Sequence, residues 1–204
     1  MRYLYVMFSH TNTGIGKLIR SVTKSEYNHV SLSLDKSMTV CYSFARRNRN
    51  NALVGGFVEE TVGRLCDGGD ITVKICKVPV TKQRFEQVRR TISVCKATQS
   101  RTIYNTYGAM ASVMGIHLQI PGAFTCVEFV SKCMAMSTIR VETLMQWLDD
   151  YVIYEGSYLK YTRQKIKQEG EYFAATSPAE MVYTNVAHFG DLSMRLLCKV
   201  SAKI

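Results

Sequence analysis

The run Tyr27-Asn28-His29-Val30-Ser31-Leu32-Ser33-Leu34 alternates strictly, with Val30, Leu32 and Leu34 on one side and His29, Ser31 and Ser33 on the other. Period-two alternation demands an extended strand with one apolar face, so the chain must build a sheet with a buried side. Asp35-Lys36-Ser37 offers a turn, and Thr39–Phe44 returns as the second arm of a hairpin. Loop length then decides which side chains share a face. A three-residue loop, Lys36-Ser37-Met38, sets Asp35 opposite Thr39 and puts Cys41 and Ser43 on the His29 face. A two-residue loop turns both away, because a slip of one residue flips every side chain.

Other strands are expected at Tyr3–Phe8, Phe57–Thr61 and Ile71–Val78. Thr81–Thr98 is the clearest helix, with Phe85, Val88, Ile92 and Cys95 at helical spacing. Shorter helices are expected at Gly14–Thr23, Tyr104–Met114, Cys126–Met136 and Glu142–Leu148. Arg46 to Asn51 reads as a polar loop, and Lys160 to Lys167 as one face of a surface helix. In the tail, Met181–Ala187 and Leu192–Val200 read as apolar strands. Without repeats or an evident linker, residues 1–204 form one α+β domain, with 150–204 as a C-terminal extension.

Hydrophobic residues make up 47% of the chain and charged residues 21%, the balance of a globular domain rather than a disordered one. Seven cysteines, an odd number with no CxxC pair, fit free thiols in a reducing compartment and no metal site. The apolar run Tyr3 to Phe8 is too short for a signal-peptide core, and the expected address is cytoplasmic. A net charge of +10 invites a nucleic-acid partner. The basic stretches lack the aromatic interleaving that stacks bases, so no nucleic-acid partner is expected. A membrane surface is possible on charge alone but is not otherwise indicated, and the oligomeric state is not legible.

Chemistry concentrates at Gly122-Ala123-Phe124-Thr125-Cys126-Val127-Glu128. Thr125 and Glu128 have capping-box spacing, which makes Thr125 the N-cap and Cys126 the first helical residue. Unpaired amides and the helix dipole favour negative charge there, and a thiol so placed tends towards thiolate, the form that attacks carbonyls. Glu128 opposes this, so a second group is required. Of four histidines, His29 is best placed, since its side of the strand is free of the apolar side chains; His10, His117 and His188 read as loop or turn residues. A cysteine and a histidine need only spatial proximity to form a nucleophile–base pair.

The order of these two motifs, Tyr27 to Leu34 before Thr125 to Val130, resembles the circularly permuted branch of the NlpC-type papain-like superfamily. That branch includes the YaeF/YiiX-like amidases and lecithin retinol acyltransferase-like proteins. Gly14-Ile15-Gly16-Lys17-Leu18-Ile19-Arg20 is also similar to this branch, and the resemblance spans roughly residues 1 to 136. It implies an antiparallel sheet packed against helices, with Cys126 as nucleophile and His29 as base. A third polar residue would orient the imidazole: Ser43 by count along the hairpin, with Glu59 or Glu60 as the carboxylate alternatives. The implied substrates are small-molecule, peptide or lipid-like acyl compounds, attacked without a cofactor. The outcome is amide or ester hydrolysis, or else acyl transfer. A silent relative that binds through its basic surface is the non-enzymatic alternative.

Overall fold

In the computed structural model, which describes residues 1–10 and 26–201, the alternating run sits inside a six-stranded antiparallel sheet. Its strands are β1 (Arg2–Ser9), β2 (His29–Ser33), β3 (Val40–Asn48), β4 (Asn51–Thr61), β5 (Thr72–Val80) and β8 (Val152–Ser157). They lie in the order β4-β3-β2-β1-β5-β8. A separate parallel pair joins β6 (Ile103–Tyr104) to β7 (Ala123–Phe124). The helices are α1 (Val62–Leu65), α2 (Lys82–Ala97), α3 (Thr106–Val113), α4 (Cys126–Cys133), α5 (Val141–Trp147), α6 (Tyr158–Thr162) and α7 (Pro178–Ser201). The helix expected at Gly14–Thr23 lies outside the described residues.

The hairpin takes the three-residue loop. Leu32 pairs with Tyr42, the register in which Asp35 faces Thr39. Met38 closes the loop at φ 55°, the left-handed residue that such loops need, and its side chain is buried beneath the sheet. Cys41 and Ser43 therefore do share the His29 face, and Cys41 lies directly opposite Glu60 of β4.

Each face of the sheet has its own core. On one, Leu4, Val6, Phe8, Val30, Leu32, Phe44 and Phe57 are covered by α2, α4 and α5. On the other, Tyr5, Met7, Met38, Cys41, Val73 and Ile75 meet α1 and Tyr158 of α6. Both sides being buried explains why β1 reads as continuous apolar sequence rather than alternation. On the larger core, Phe129 of α4 sits with its ring centroid 5.3 Å from Phe44 and 5.6 Å from Phe57.

Several sequence expectations are corrected. Arg46 to Asn51 is not a loop: β3 runs to Asn48 and β4 starts at Asn51, so the basic residues sit at the end of a long hairpin. Lys160 to Lys167 is helical only as far as Thr162, because Arg163 at φ 55° ends α6 after little more than one turn. The two apolar strands of the tail are one helix, α7. Its apolar residues occupy both the inward and outward sides, which blurs the helical period. His188, read as a turn residue, is buried on α7 and bonds Thr106 Oγ1 at 3.0 Å. The tail is also tied into the sheet, since β8 pairs with β5 along its length.

The Phe44–Phe57–Phe129 contact is what seats α4. Phe129→Ala leaves a cavity between sheet and helix and is expected to cost about 3–5 kcal/mol, measured as a lowered urea midpoint at unchanged slope. A loss under 1 kcal/mol, on the order of a surface change, would contradict this packing role.

Candidate active site

Thr125 and Glu128 form the capping box. Thr125 Oγ1 accepts from the Glu128 N–H at 3.2 Å, and the Thr125 N–H donates to Glu128 Oε2 at 2.7 Å. This pins the start of α4 and places Cys126, which is buried, in its first turn. Glu128 does not face Cys126 as an isolated charge. Its other oxygen pairs with His117 Nε2 at 3.3 Å, and Asn105 Nδ2 lies 3.5 Å from Oε2.

His29 opens β2, and the pairing of β2 with β3 is registered only at Leu32 and Tyr42, further along. Beyond that pair the sheet opens into a cleft lined by residues of both faces, among them Phe44 from one and Ala45 and Glu60 from the other. Cys126 reaches the same cleft from α4, near enough to favour the charged form of the His29 imidazole. Both Glu60 oxygens lie 3.0 Å from His29 Nε2. Residues from β2, β4 and α4 thus meet as a buried Cys–His–Glu row.

Ser43 does not hold the imidazole. It lies on the expected face and is fully buried, but among the described residues its hydroxyl makes no hydrogen bond of good geometry. It stands beside Glu60 and helps to stabilise that charge. Glu59, one residue earlier, points to the opposite face and pairs with Lys96 at 2.9 Å. The carboxylate that lies against the imidazole is Glu60. Sequence parity contains this distinction, since Cys41 pairs with Glu60 and Tyr42 with Glu59. Reading it requires the β3–β4 register, which a bulge between Arg46 and Asn48 hides. His10 bonds the Glu26 carbonyl at 3.2 Å and lies at the cleft margin.

Burial alone would lower the His29 pKa. Burial is the largest single influence, but the interactions with Glu60 and Cys126 together outweigh it and push the ring up to about 10 from an ordinary 6.5. Burial likewise pushes the Glu60 carboxyl up, but the imidazole against it, followed by Arg64 and Ser43, holds it below its usual value. The resting pair is an imidazolium and a carboxylate, each compensating the other's loss of water.

Tyr104 is positioned over the cleft by Gly55. A Cβ on Gly55 would lie 2.6 Å from the Ala45 carbonyl oxygen and 2.8 Å from Tyr104 Cβ, so only glycine lets β6 approach β4. On the far side of Cys126 a second cleft runs between α3 and α5, past Ala109, His117, Arg140 and Gln146. Asn28, Tyr104 and Cys126 line both clefts. The thiol therefore stands at the junction of two openings. Among the described residues no three His, Cys, Asp or Glu side chains gather in a way that would hold a metal ion, and no helix is long and apolar enough to cross a membrane. Comparison with family models, with curated proteins and with solved structures finds no match to this chain.

Linkage sets the sign of the pH dependence. A raised His29 pKa contributes stability in full below 6.5 and loses it as pH rises through about 10. A lowered Glu60 pKa contributes in full above 4.5 and loses it as pH falls through the lowered value. Glu60→Gln is therefore expected to destabilise most between those ordinary values, by about 3–5 kcal/mol for a broken buried pair. The deficit should shrink towards pH 10. Urea titrations across pH check this, and imidazole NMR should show His29 in the variant titrating below its ordinary value. A deficit that does not change with pH would contradict the ion pair.

Proposed function

We propose that the protein is a thiol hydrolase that cleaves an amide or ester bond through an acyl-enzyme on Cys126. The observation that carries this reading is the meeting of Cys126, His29 and Glu60, drawn from three separate elements into one buried row at a cleft. Structural packing alone has no need for a carboxylate, an imidazole and a thiol in sequence. That order is the nucleophile, base and orienter of acyl-transfer chemistry. The strand-borne His before a helix-opening Cys also supports a permuted papain-like fold of the NlpC type.

In the first half-reaction the Cys126 proton rests on His29, and Sγ bonds to the substrate carbonyl carbon. The N–H groups of the first turn of α4 have no partner within the helix, and the Cys126 N–H is the nearest of them to the developing oxyanion. The imidazolium hands its proton to the departing nitrogen or oxygen as the carbon–heteroatom bond breaks, leaving a thioester. Water then attacks the thioester, His29 takes the water proton, and the carbon–sulfur bond breaks as the proton returns to Sγ. Glu60 stays ionised throughout and holds the ring. Two openings at the thiol let the acyl part and the leaving part of a substrate extend in different directions. An alcohol or amine in place of water gives an acyltransferase through the same thioester.

Two experiments test the reading. Limiting iodoacetamide on folded protein, followed by mass spectrometry, should modify Cys126 ahead of the buried thiols. Burial pushes Cys41, Cys76 and Cys133 up to about 12 and Cys66 up to about 11, so these remain protonated. The exposed Cys198 is the internal standard for an accessible thiol. Cys126 no faster than Cys41 or Cys66 would end the nucleophile assignment.

Turnover of a generic thioester or activated ester should be abolished in Cys126→Ala and fall by about 10²–10⁴-fold in His29→Ala. Ser43→Ala, which removes a hydroxyl without a full hydrogen bond, should lose less than about tenfold. Intact-mass detection of an acyl adduct on the wild type, absent in Cys126→Ala, identifies the intermediate. Full activity in His29→Ala would overturn the mechanism.

A further inference from the structure

Helix α7 is amphipathic the wrong way round for a helix that ends its contacts at the protein surface. Its inward side carries His188 and Leu192, with Phe189 and Leu196 packed against the same small core. Two of its charged side chains also turn back onto the body. Arg195 donates to the carbonyls of Pro121 and Arg101, both at 3.2 Å, and Lys199 to that of Gln119 at 2.7 Å. The outward side holds Val182, Tyr183, Val186, Met194, Leu197 and Val200, each between 53 and 75% exposed. At about 3.6 residues per turn these six fall within roughly a third of the circumference. None of the helix's charged residues, Glu180, Asp191, Arg195 and Lys199, falls in that arc.

The outward face is also symmetric in sequence about Gly190. Val186 and Met194 lie four residues to either side of it, and Tyr183 and Leu197 seven. Gly190 is the middle of the helix, where glycine weakens the structure relative to alanine. Nothing among the described residues requires it, because a Cβ there would meet none of their atoms within 4 Å. A glycine facing outward at the centre of an apolar stripe lets a second backbone approach closely.

We propose that α7 pairs with α7 of a second copy, antiparallel and crossing at Gly190. A two-fold axis through that crossing sets Val186 against Met194 and Tyr183 against Leu197 of the other copy, the self-complementary pattern of an isologous interface. Antiparallel pairing also sets the helix dipoles head to tail. The six side chains supply most of the roughly 800 Å² per partner that a standard interface buries. Met110 and Met114, also exposed, follow Tyr107 by three and seven residues on the side of α3 that meets α7, and widen the patch. A lipid surface fits the face less well, since its edges carry Glu180 and Asp191 rather than a row of lysines and arginines.

Sedimentation velocity on the full chain at micromolar concentrations should give twice the chain mass. Val186→Glu with Leu197→Glu should give the monomer, with an unchanged circular dichroism spectrum because both positions are exposed. Gly190→Cys, in a Cys198→Ser background, should form a disulfide-linked dimer under mild oxidation. In the wild type Cys198 should not link to itself. Antiparallel pairing holds the two copies of that thiol roughly 24 Å apart along the axes, from a rise of about 1.5 Å per residue. A monomeric wild type, a dimer that survives the double glutamate change, or a Gly190→Cys dimer that does not cross-link would each overturn the proposal. So would a monomer that floats with phosphatidylcholine vesicles and loses this on the double change, which would assign the face to lipid.

Discussion

Phe129, seated among the rings of Phe44 and Phe57, sets the height and direction of α4 on the sheet, and with them everything that the first turn of that helix can meet. The contact is apolar and lies one turn away from the chemistry. A helix anchored there has little freedom to slide, since core packing tolerates small volume changes poorly. The capping box fixes which residue comes first, and the aromatic contact fixes where that residue lies. His29 and Glu60 are then held by the sheet on the other side of the opening. Precision at the candidate site is thus divided between a rigid sheet and a docked helix end, with no loop supplying any of its three side chains.

The parts of this arrangement that follow from local rules were legible in the sequence. Alternation along Tyr27–Leu34 marked the strand, and the Thr125/Glu128 spacing marked the helix start; both depend on neighbours within a few residues. The three-residue hairpin loop was one of two alternatives, and it correctly put Ser43 on the His29 face. What failed was the step from sharing a face to making a contact. The imidazole is met by the longer Glu60, one strand further on, and finding it requires a register between β3 and β4 that the bulge near Arg46 shifts. Local sequence does not encode that shift. Helix α7 failed for a different reason. With apolar side chains outward as well as inward, its pattern carries no clean period, and short windows such as Met181–Ala187 resemble strands.

Positive charge, the most conspicuous bulk property of the chain, is partly consumed in fastening its own segments. Arg46 and Arg64 stack on the Tyr172 ring at 5.2 and 4.3 Å, Arg49 on Phe173 at 5.6 Å, and Asp67 pairs with Arg49 at 3.3 Å. The Arg49 N–H also donates to the Tyr172 carbonyl at 2.9 Å. These contacts hold the segment around Tyr172 against the β3–β4 hairpin and along one margin of the cleft. A basic cluster that looks like a recognition surface in sequence is here an internal clamp, with cation–π contacts supplying much of its grip.

The parallel pair β6–β7 brings Ile103 beside Ala123 and Tyr104 beside Phe124 across a connection that contains α3. Parallel pairing cannot form through a tight turn; it must wait until the intervening chain has been laid down. The row itself joins residues 31 and 97 positions apart in sequence, from His29 to Glu60 and from His29 to Cys126. Closing such separations costs chain entropy before any contact rewards it, so structures of this kind are slow to complete. A nascent or partly refolded chain therefore carries Cys126 as one thiol among seven, without its partner imidazole. On the proposed reading, reactivity at that sulfur is a property of the finished topology, and its onset during refolding is a clock for the last long-range closure.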